Sequence, residues 1–421
     1  MRAFLLFLAA AGAAVHAQQY DLLIKGGHLI DPRNNIDAVR DVAIKDGKIA
    51  RVAADIPASE ARQVANAAGL YVTPGLVDIH VHVYAGTGMA GVYTGDLSVY
   101  PDGFTFRSGV TTVVDAGTSG WRNFPDFKQR VIDRSRTRVL AMLNIAGLGM
   151  QGKNEGDSGD MAPEPVANMA RQYASTIVGV KTAHYPHKDW TAVENAVKAG
   201  TAANIPVMVD FGTNHPERPI SELFASKLRP GDIYTHAFSG LRNEMLPDGT
   251  LNPAMEAGRK RGIIFDVGHG GGSFFWPVAS AAYKANFPPD TISTDLHTGS
   301  MNAGMKSMIN VMSKILNEGT PLAKVIAMST WRPAQVIKRT ELGHLSEGAE
   351  ADVVVIRVEK GGFGYLDSRG TRKDGAQRLT AELTVRGGRV MWDLNGIAAE
   401  DWQTYYKREG ISGRRRGRSK Q

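Results

Sequence analysis

Two histidines alternate at the end of an apolar run in TPGLVDIHVHV, residues 73–83. Side chains of a strand repeat with period two, so His80 and His82 share a face, and two imidazoles converging on one point can hold a divalent cation. Residues of the same kind close later apolar runs: Lys181 and His184, Asp210, His236, Asp266 and His269, then Asp295 and His297. Taken singly these are weak signals. A lone His-x-His is a common accident, a lysine ending a strand usually lies along the surface, and an Asp before a helix usually caps it. Taken together, His and Asp at the same end of separate runs have few structural reasons to exist, and they read as a metal site. The sequence contains no cysteine, which excludes disulfides, a thiolate zinc site and a cysteine nucleophile. Any metal must therefore rest on His, Asp, Glu or a modified lysine. The ammonium of Lys181 has no lone pair to offer. Carbamylation by carbon dioxide would convert it to a carboxylate able to bridge two metals, provided that burial beside cations depresses its pKa.

The elements that would carry these residues are eight short apolar runs, at 75–83, 109–118, 138–147, 177–184, 205–212, 232–238, 262–270 and 291–297. Amphipathic stretches of helical period alternate with them, among them FPDFKQRVIDRSR, MAPEPVANMARQYAST, WTAVENAVKAGTAA and NPAMEAGRKRG. This alternation predicts an α/β fold, a (β/α)8 TIM-type barrel over 73–345, with chemistry at the C-terminal ends of the strands. A doubly wound sheet would alternate too. No run up to Thr118 carries the G-x-G-x-x-G of a dinucleotide site, however, and GHGGGS at 268–273 lacks the Gly-Lys-Ser/Thr of a P-loop.

Both ends of the chain are β-rich. Asp46-Gly47 and Gly387-Gly388 sit between apolar runs as hairpin turns, and the segments 18–72 and 346–400 predict one small composite β-sandwich. Residues 1–17 have the charge, apolar run and small-residue close of a signal peptide, so the protein is expected to be exported, to the periplasm or beyond. No later segment is long enough to span a membrane. The net charge of +7 is concentrated at the termini: five positive charges fall in GRRRGRSKQ and one at Arg2. The body is nearly neutral, no nucleic-acid partner is expected, and 401–421 is expected to be a basic, disordered tail. Whether the chain forms a homo-oligomer stays open.

These residues resemble the amidohydrolase superfamily, the metal-dependent hydrolases related to dihydroorotase, dihydropyrimidinase and urease. TPGLVDIHVHV is similar to its first-strand signature, VGVKTAH to its carbamylated-lysine strand, YTHAFSG to its sixth-strand histidine and ISTDLH to its eighth-strand aspartate. SGVTTVVDAGTSG, RPGDIYTHAFSG and FDVGHGGGSF narrow the likeness to the amidohydrolase/deacetylase subgroup that includes D-aminoacylase-like enzymes. The resemblance implies two divalent metals, zinc or alternatively manganese. His80, His82 and Asp295 would hold the buried one, carbamylated Lys181 would bridge, and His236 would serve the exposed one. It implies hydrolysis of an amide or ester bond in a small acylated substrate by metal-activated hydroxide, with Asp295 as general base and acid and His269 as a substrate contact. His297 is expected beside the ligands rather than among them. Asp210 departs from the subgroup, which has histidine there. It is taken as a ligand, the alternative being a weakened second site in which His215 takes over. A cyclic-amide or lactone hydrolase is the nearest alternative activity, and a catalytically silent scaffold is the alternative of another class.

Overall fold

The computed structural model describes residues 18–84, 97–150, 155–210, 212 and 214–410. The expected signal peptide and residues 411–421 of the basic tail lie outside them. The ends of the chain build one mixed sheet from β1 (Tyr20–Asp31), β2 (Ile36–Lys45), β3 (Lys48–Ala53), β4 (Ala61–Asn66) and β5 (Tyr71–Pro74), as expected from their β-rich text. The sheet is completed by three strands from the far end of the sequence, numbered below as β13 to β15. The central strands are β6 (Leu76–Val81), β7 (Val110–Gly120), β8 (Arg138–Asn144), β9 (Ile177–Thr182), β10 (Val207–Val209), β11 (Ile233–Tyr234) and β12 (Ile264–Phe265). The last three are β13 (Val353–Leu366), β14 (Arg372–Arg386) and β15 (Arg389–Asp393).

In the terminal sheet β5 joins the two ends, pairing with β1 on one side and β13 on the other. The β2–β3 turn has Asp46 and Gly47 at φ 49° and 76°, and the β14–β15 turn has Gly387 and Gly388 at 55° and 76°. Both are two-residue turns with consecutive positive φ, the form that matches strand twist and favours Asp-Gly and Gly-Gly. Leu22, Ile24, Val42, Val72, Val353 and Leu383 pack one face of this sheet. The β13–β14 hairpin runs well beyond the expected β-rich text and stays paired out to Leu366 opposite Arg372, with register shifts after Val355 and after Lys360.

The central strands are all parallel, ordered β6 to β12 without a break. The predicted amphipathic segments appear as helices Phe124–Arg130, Pro163–Gln172, Thr191–Ala203 and Pro253–Lys260 between them. One expectation is corrected: the eighth run forms no regular strand. Residues 291–297 touch β6 and the β12 edge through two isolated bridges, Val81 with Leu296 and Asp266 with Thr291. Single bonds such as Asp295 N–H to His80 O at 2.7 Å and Gly270 N–H to Thr294 O at 3.0 Å hold the segment between them. Its regularity is lost because Asp295 takes φ 53°, outside the strand region, and because Thr291, Ser293 and Thr294 spend side-chain hydroxyls on buried Asp266 and Asp78.

Inside the curl of this sheet, below the site, Val77, Ile79, Val114, Leu140, Met142, Val178 and Met208 pack with Ala334, Ile337 and Leu342. That apolar plug closes one end of the curl and leaves only the C-terminal ends of the strands for polar residues. The expectation of disorder from 401 onward is also corrected in part. Asp401 caps the exposed helix Trp402–Arg408, accepting from Thr404 N–H at 3.0 Å. Among the described residues no helix is long and apolar enough to cross a membrane.

Candidate metal centre

Simple alternation would not bring His80 inward, because Val77 and Ile79 already face the plug. Between Asp78 and Val81 strand β6 carries one residue more than β7 does between Val113 and Asp115. This bulge inverts the parity, so His80 and His82 point into the space that Val77 and Ile79 line below. β9 repeats the device: Ile177 and Gly179 face Ala141 and Met142, and the extra Val178 brings Lys181 inward opposite Asn144. Gly117 (φ 86°) makes room, since a Cβ there would stand 2.8 Å from Lys181 Cβ.

The hydrogen bonds of each ring decide what its other nitrogen can do. Thr235 gives its hydroxyl proton to Asp266 at 2.8 Å, so its oxygen accepts from His80 Nδ1 at 2.8 Å. His236 Nδ1 donates to the carbonyl of Gly268 at 2.5 Å, and His184 Nδ1 donates to Glu155 at 2.9 Å. Each of these rings therefore turns its Nε2 toward the cavity, the atom through which it would bind a metal. His82 Nδ1 lies 2.9 Å from Thr118 Oγ1. His297 is the reverse case. Its Nδ1 accepts from the N–H groups of Gly299 and Ser300 at 3.1 and 3.3 Å, which leaves Nε2 carrying the proton. It is built to donate.

Asp295 Oδ1 stands 3.0 Å from His82 Nε2 and 3.5 Å from His80 Nε2. Ligand atoms of His80, His236 and Asp295 all fall within 4.8 Å of one another, a grouping able to hold a metal ion. Burial opposes ionisation of Asp295, but His80, His297 and His82 hold its carboxyl well below the usual range. Lys181 is fully enclosed with Nζ 3.0 Å from His80 Nε2, and burial lowers its pKa, the condition that carbamylation would require. Three residues here take left-handed backbone without being glycine: His184 (φ 52°), His236 (φ 61°) and Asp295 (φ 53°). Each costs about 1–2 kcal/mol, and such strain collects at functional sites.

The inner cavity, about 80 Å³, is lined by His80, His82, Lys181, Asp210, His236 and Asp295. An outer cleft of about 640 Å³ shares Asp210, His236 and Asp295 with it and adds Asn214, Arg242 and Ser273. Asp210 does reach the centre. One of its oxygens is taken by the guanidinium of Arg242, while Oδ2 lies 3.4 Å from His184 Nε2 and 3.6 Å from His236 Nε2. Burial opposes ionisation of Asp210 too, and Arg242 then His236 hold its carboxyl well below the usual range. Burial works to lower the pKa of His184, but Glu155 and Asp210 raise it to about 9.

His269 is the expectation that fails. It is fully buried, stacked on Phe274 with ring centroids 4.5 Å apart, and its Nε2 accepts from Lys314 Nζ at 2.7 Å. It lines neither cavity and instead braces the loop whose Gly268 carbonyl orients His236. Nor does His215 replace the missing ligand, since it lines neither space. Glu155 and Arg242 were not anticipated. Nothing in their spacing marks them, because both reach the centre from loops.

A model of the amidohydrolase family matches residues 278–384. Over most of the chain the protein is similar to a deacetylase of Agrobacterium fabrum, 34% identical across 77% of this chain and 80% of that one. A deacetylase of Brucella anthropi is 33% identical across 79% and 83%. Among solved structures, an adenine deaminase superposes with a TM-score of 0.80 at 29% identity, covering 89% of this chain and all of the other. A dihydroorotase superposes at 0.78, also at 29% identity, over 88% and 99%. Members of this family use divalent metals, and the His80, His236, Asp295 grouping supplies a place for one. The chain belongs to the amidohydrolase family and is a metal-dependent hydrolase acting on carbon–nitrogen bonds of the amide type.

Proposed function

We propose that the protein removes an acyl group from a small, carboxylate-bearing N-acyl or O-acyl substrate bound in the outer cleft. The observation that carries this reading is the set of cavity-facing Nε2 atoms beside Asp295, with the proton-bearing Nε2 of His297 next to them. His80, His82 and Asp295 would hold one divalent ion, zinc or manganese. Asp210 and His236 would hold a second, with carbamylated Lys181 between them. Forming that carbamate joins the neutral Lys181 amine to carbon dioxide with loss of one proton, and the buried, lowered-pKa amine favours it. Ions bound there would make a water more acidic and polarise the scissile carbonyl.

The protein groups then have separable tasks. Asp295, kept ionised, accepts the proton of the attacking water and returns it to the leaving amine or alkoxide. His297, whose Nε2 lies 3.8 Å from Asp295 Oδ2, donates to the developing oxyanion or to the substrate carboxylate. Gly270 (φ 57°) lets its loop close over Asp295, because a Cβ there would stand 2.5 Å from Oδ2. Release of acetate from N-acetyl amino acids of both hands and from acetoxy acids by metal-reconstituted enzyme, set beside ring opening of cyclic amides, tests this. Turnover confined to cyclic amides would replace deacylation with ring opening, and no turnover with no bound metal would remove the enzyme reading. We also read residues 1–17 as an export signal cleaved after Ala17, which N-terminal sequencing of the mature protein checks.

A further inference from the structure

We propose that His184 is a ligand of the outer metal position, and that Arg242 fits Asp210 to serve there in place of a neutral imidazole. The proposal rests on the metallohydrolase reading above.

An aspartate in place of histidine brings an extra negative charge into a site where its side chain is only 4% exposed. An uncompensated buried charge costs several kcal/mol. Arg242, equally buried, supplies the opposite charge and is pinned by the Gly212 carbonyl at 2.7 Å and Ser239 Oγ at 3.2 Å. With Gly212 N–H also bound at 3.2 Å, Asp210 Oδ1 is spent. The Asp210–Arg242 pair thus presents no net charge and one outward donor, Oδ2, which is what an imidazole would present.

That oxygen faces two imidazoles. His184 Nε2 at 3.4 Å and His236 Nε2 at 3.6 Å both point at it, and with their Nδ1 atoms committed to Glu155 and the Gly268 carbonyl, Nε2 is the atom each ring has left for a metal. Two ring nitrogens and a carboxylate oxygen thus converge on one point, where a divalent ion can take the place of the protons that otherwise lie between them. The carboxylate behind His184 is the arrangement that fixes a metal-binding imidazole, and Glu155 is itself buried and held by Asn144 Nδ2 at 2.8 Å. The left-handed backbone at His184 is the strain accepted to aim the ring.

The test loads full-length protein with Mn²⁺ and measures ions per chain by elemental analysis, their affinities by titration, and their coupling by electron paramagnetic resonance. Wild type is expected to hold two ions with an exchange-coupled spectrum. His184→Ala changes a half-exposed side chain and is expected to weaken the second ion about 10–100-fold while sparing the first, leaving the six-line signal of an isolated ion. Asp210→His alone strands the Arg242 charge and is expected to hold one ion, and Asp210→His with Arg242→Met to recover two. Two ions at wild-type affinity in His184→Ala overturn the proposal, as does a single ion in wild type. Wild type binding no ion overturns the functional reading itself.

Discussion

The inner and outer halves of the centre are made differently. His80 and Lys181 stand on strands β6 and β9 and His82 directly follows β6, all re-aimed by one bulge in β6 and one in β9, over an apolar plug. Asp210, His184, Arg242 and Glu155 come from strand ends and loops, linked to each other by charge and hydrogen bonds. Strand geometry makes the inner half hard to alter, since a one-residue slip turns every side chain to the other face. The outer half can exchange ligand types, provided its partners change together. The departure from the family pattern accordingly falls at Asp210 and not at His80 or His82.

Variants can break or sharpen that contrast. The largest effect is expected from Asp295→Asn, which removes the proton acceptor: kcat should fall about 10²–10⁴-fold, and a rate within threefold of wild type would dismiss that role. Gly270→Ala forces a methyl against Asp295 and strains a φ of 57°, so kcat should drop by about 100-fold with the fold intact by circular dichroism. Thr235→Val strips His80 Nδ1 of its acceptor and is specific to the inner half. Competition with a chelator should show the tighter-bound ion weakened about 10-fold and the other unchanged.

The smallest effect lies outside both halves. Burial pulls Lys314 from its ordinary 10.5 to about 7. Between about pH 7 and 10.5 the unfolded chain then binds a proton that the folded chain does not, so stability should rise with pH across that window. Urea titrations of Lys314→Met should show a flatter profile there, and an unaltered slope would mean that Lys314 keeps its proton.

Much of this was legible without coordinates. The parallel strands up to β12, the paired turns at Asp46-Gly47 and Gly387-Gly388, and the helices between the runs follow from periodicity and turn chemistry, which act over a few residues. The eighth run was misread because its alternation is real while its side chains are spent on Asp78 and Asp266, partners far away in sequence. His269 was misread for a related reason. A histidine in a glycine-rich loop looks available until Lys314, from helix Met308–Asn317, is seen to occupy its Nε2.

By itself the sequence determined which ligand chemistry was open to this protein: no thiolate, a His-x-His pair, one strand-end lysine, and acids at the ends of later runs. Those are matters of composition and local period. The tertiary structure decided which of these side chains meet, which nitrogen of each ring is free, and how an aspartate fits where a histidine was expected. Bulge parity, ring tautomers and the Arg242 counter-charge depend on contacts between residues distant in the chain, and local sequence carries no record of them.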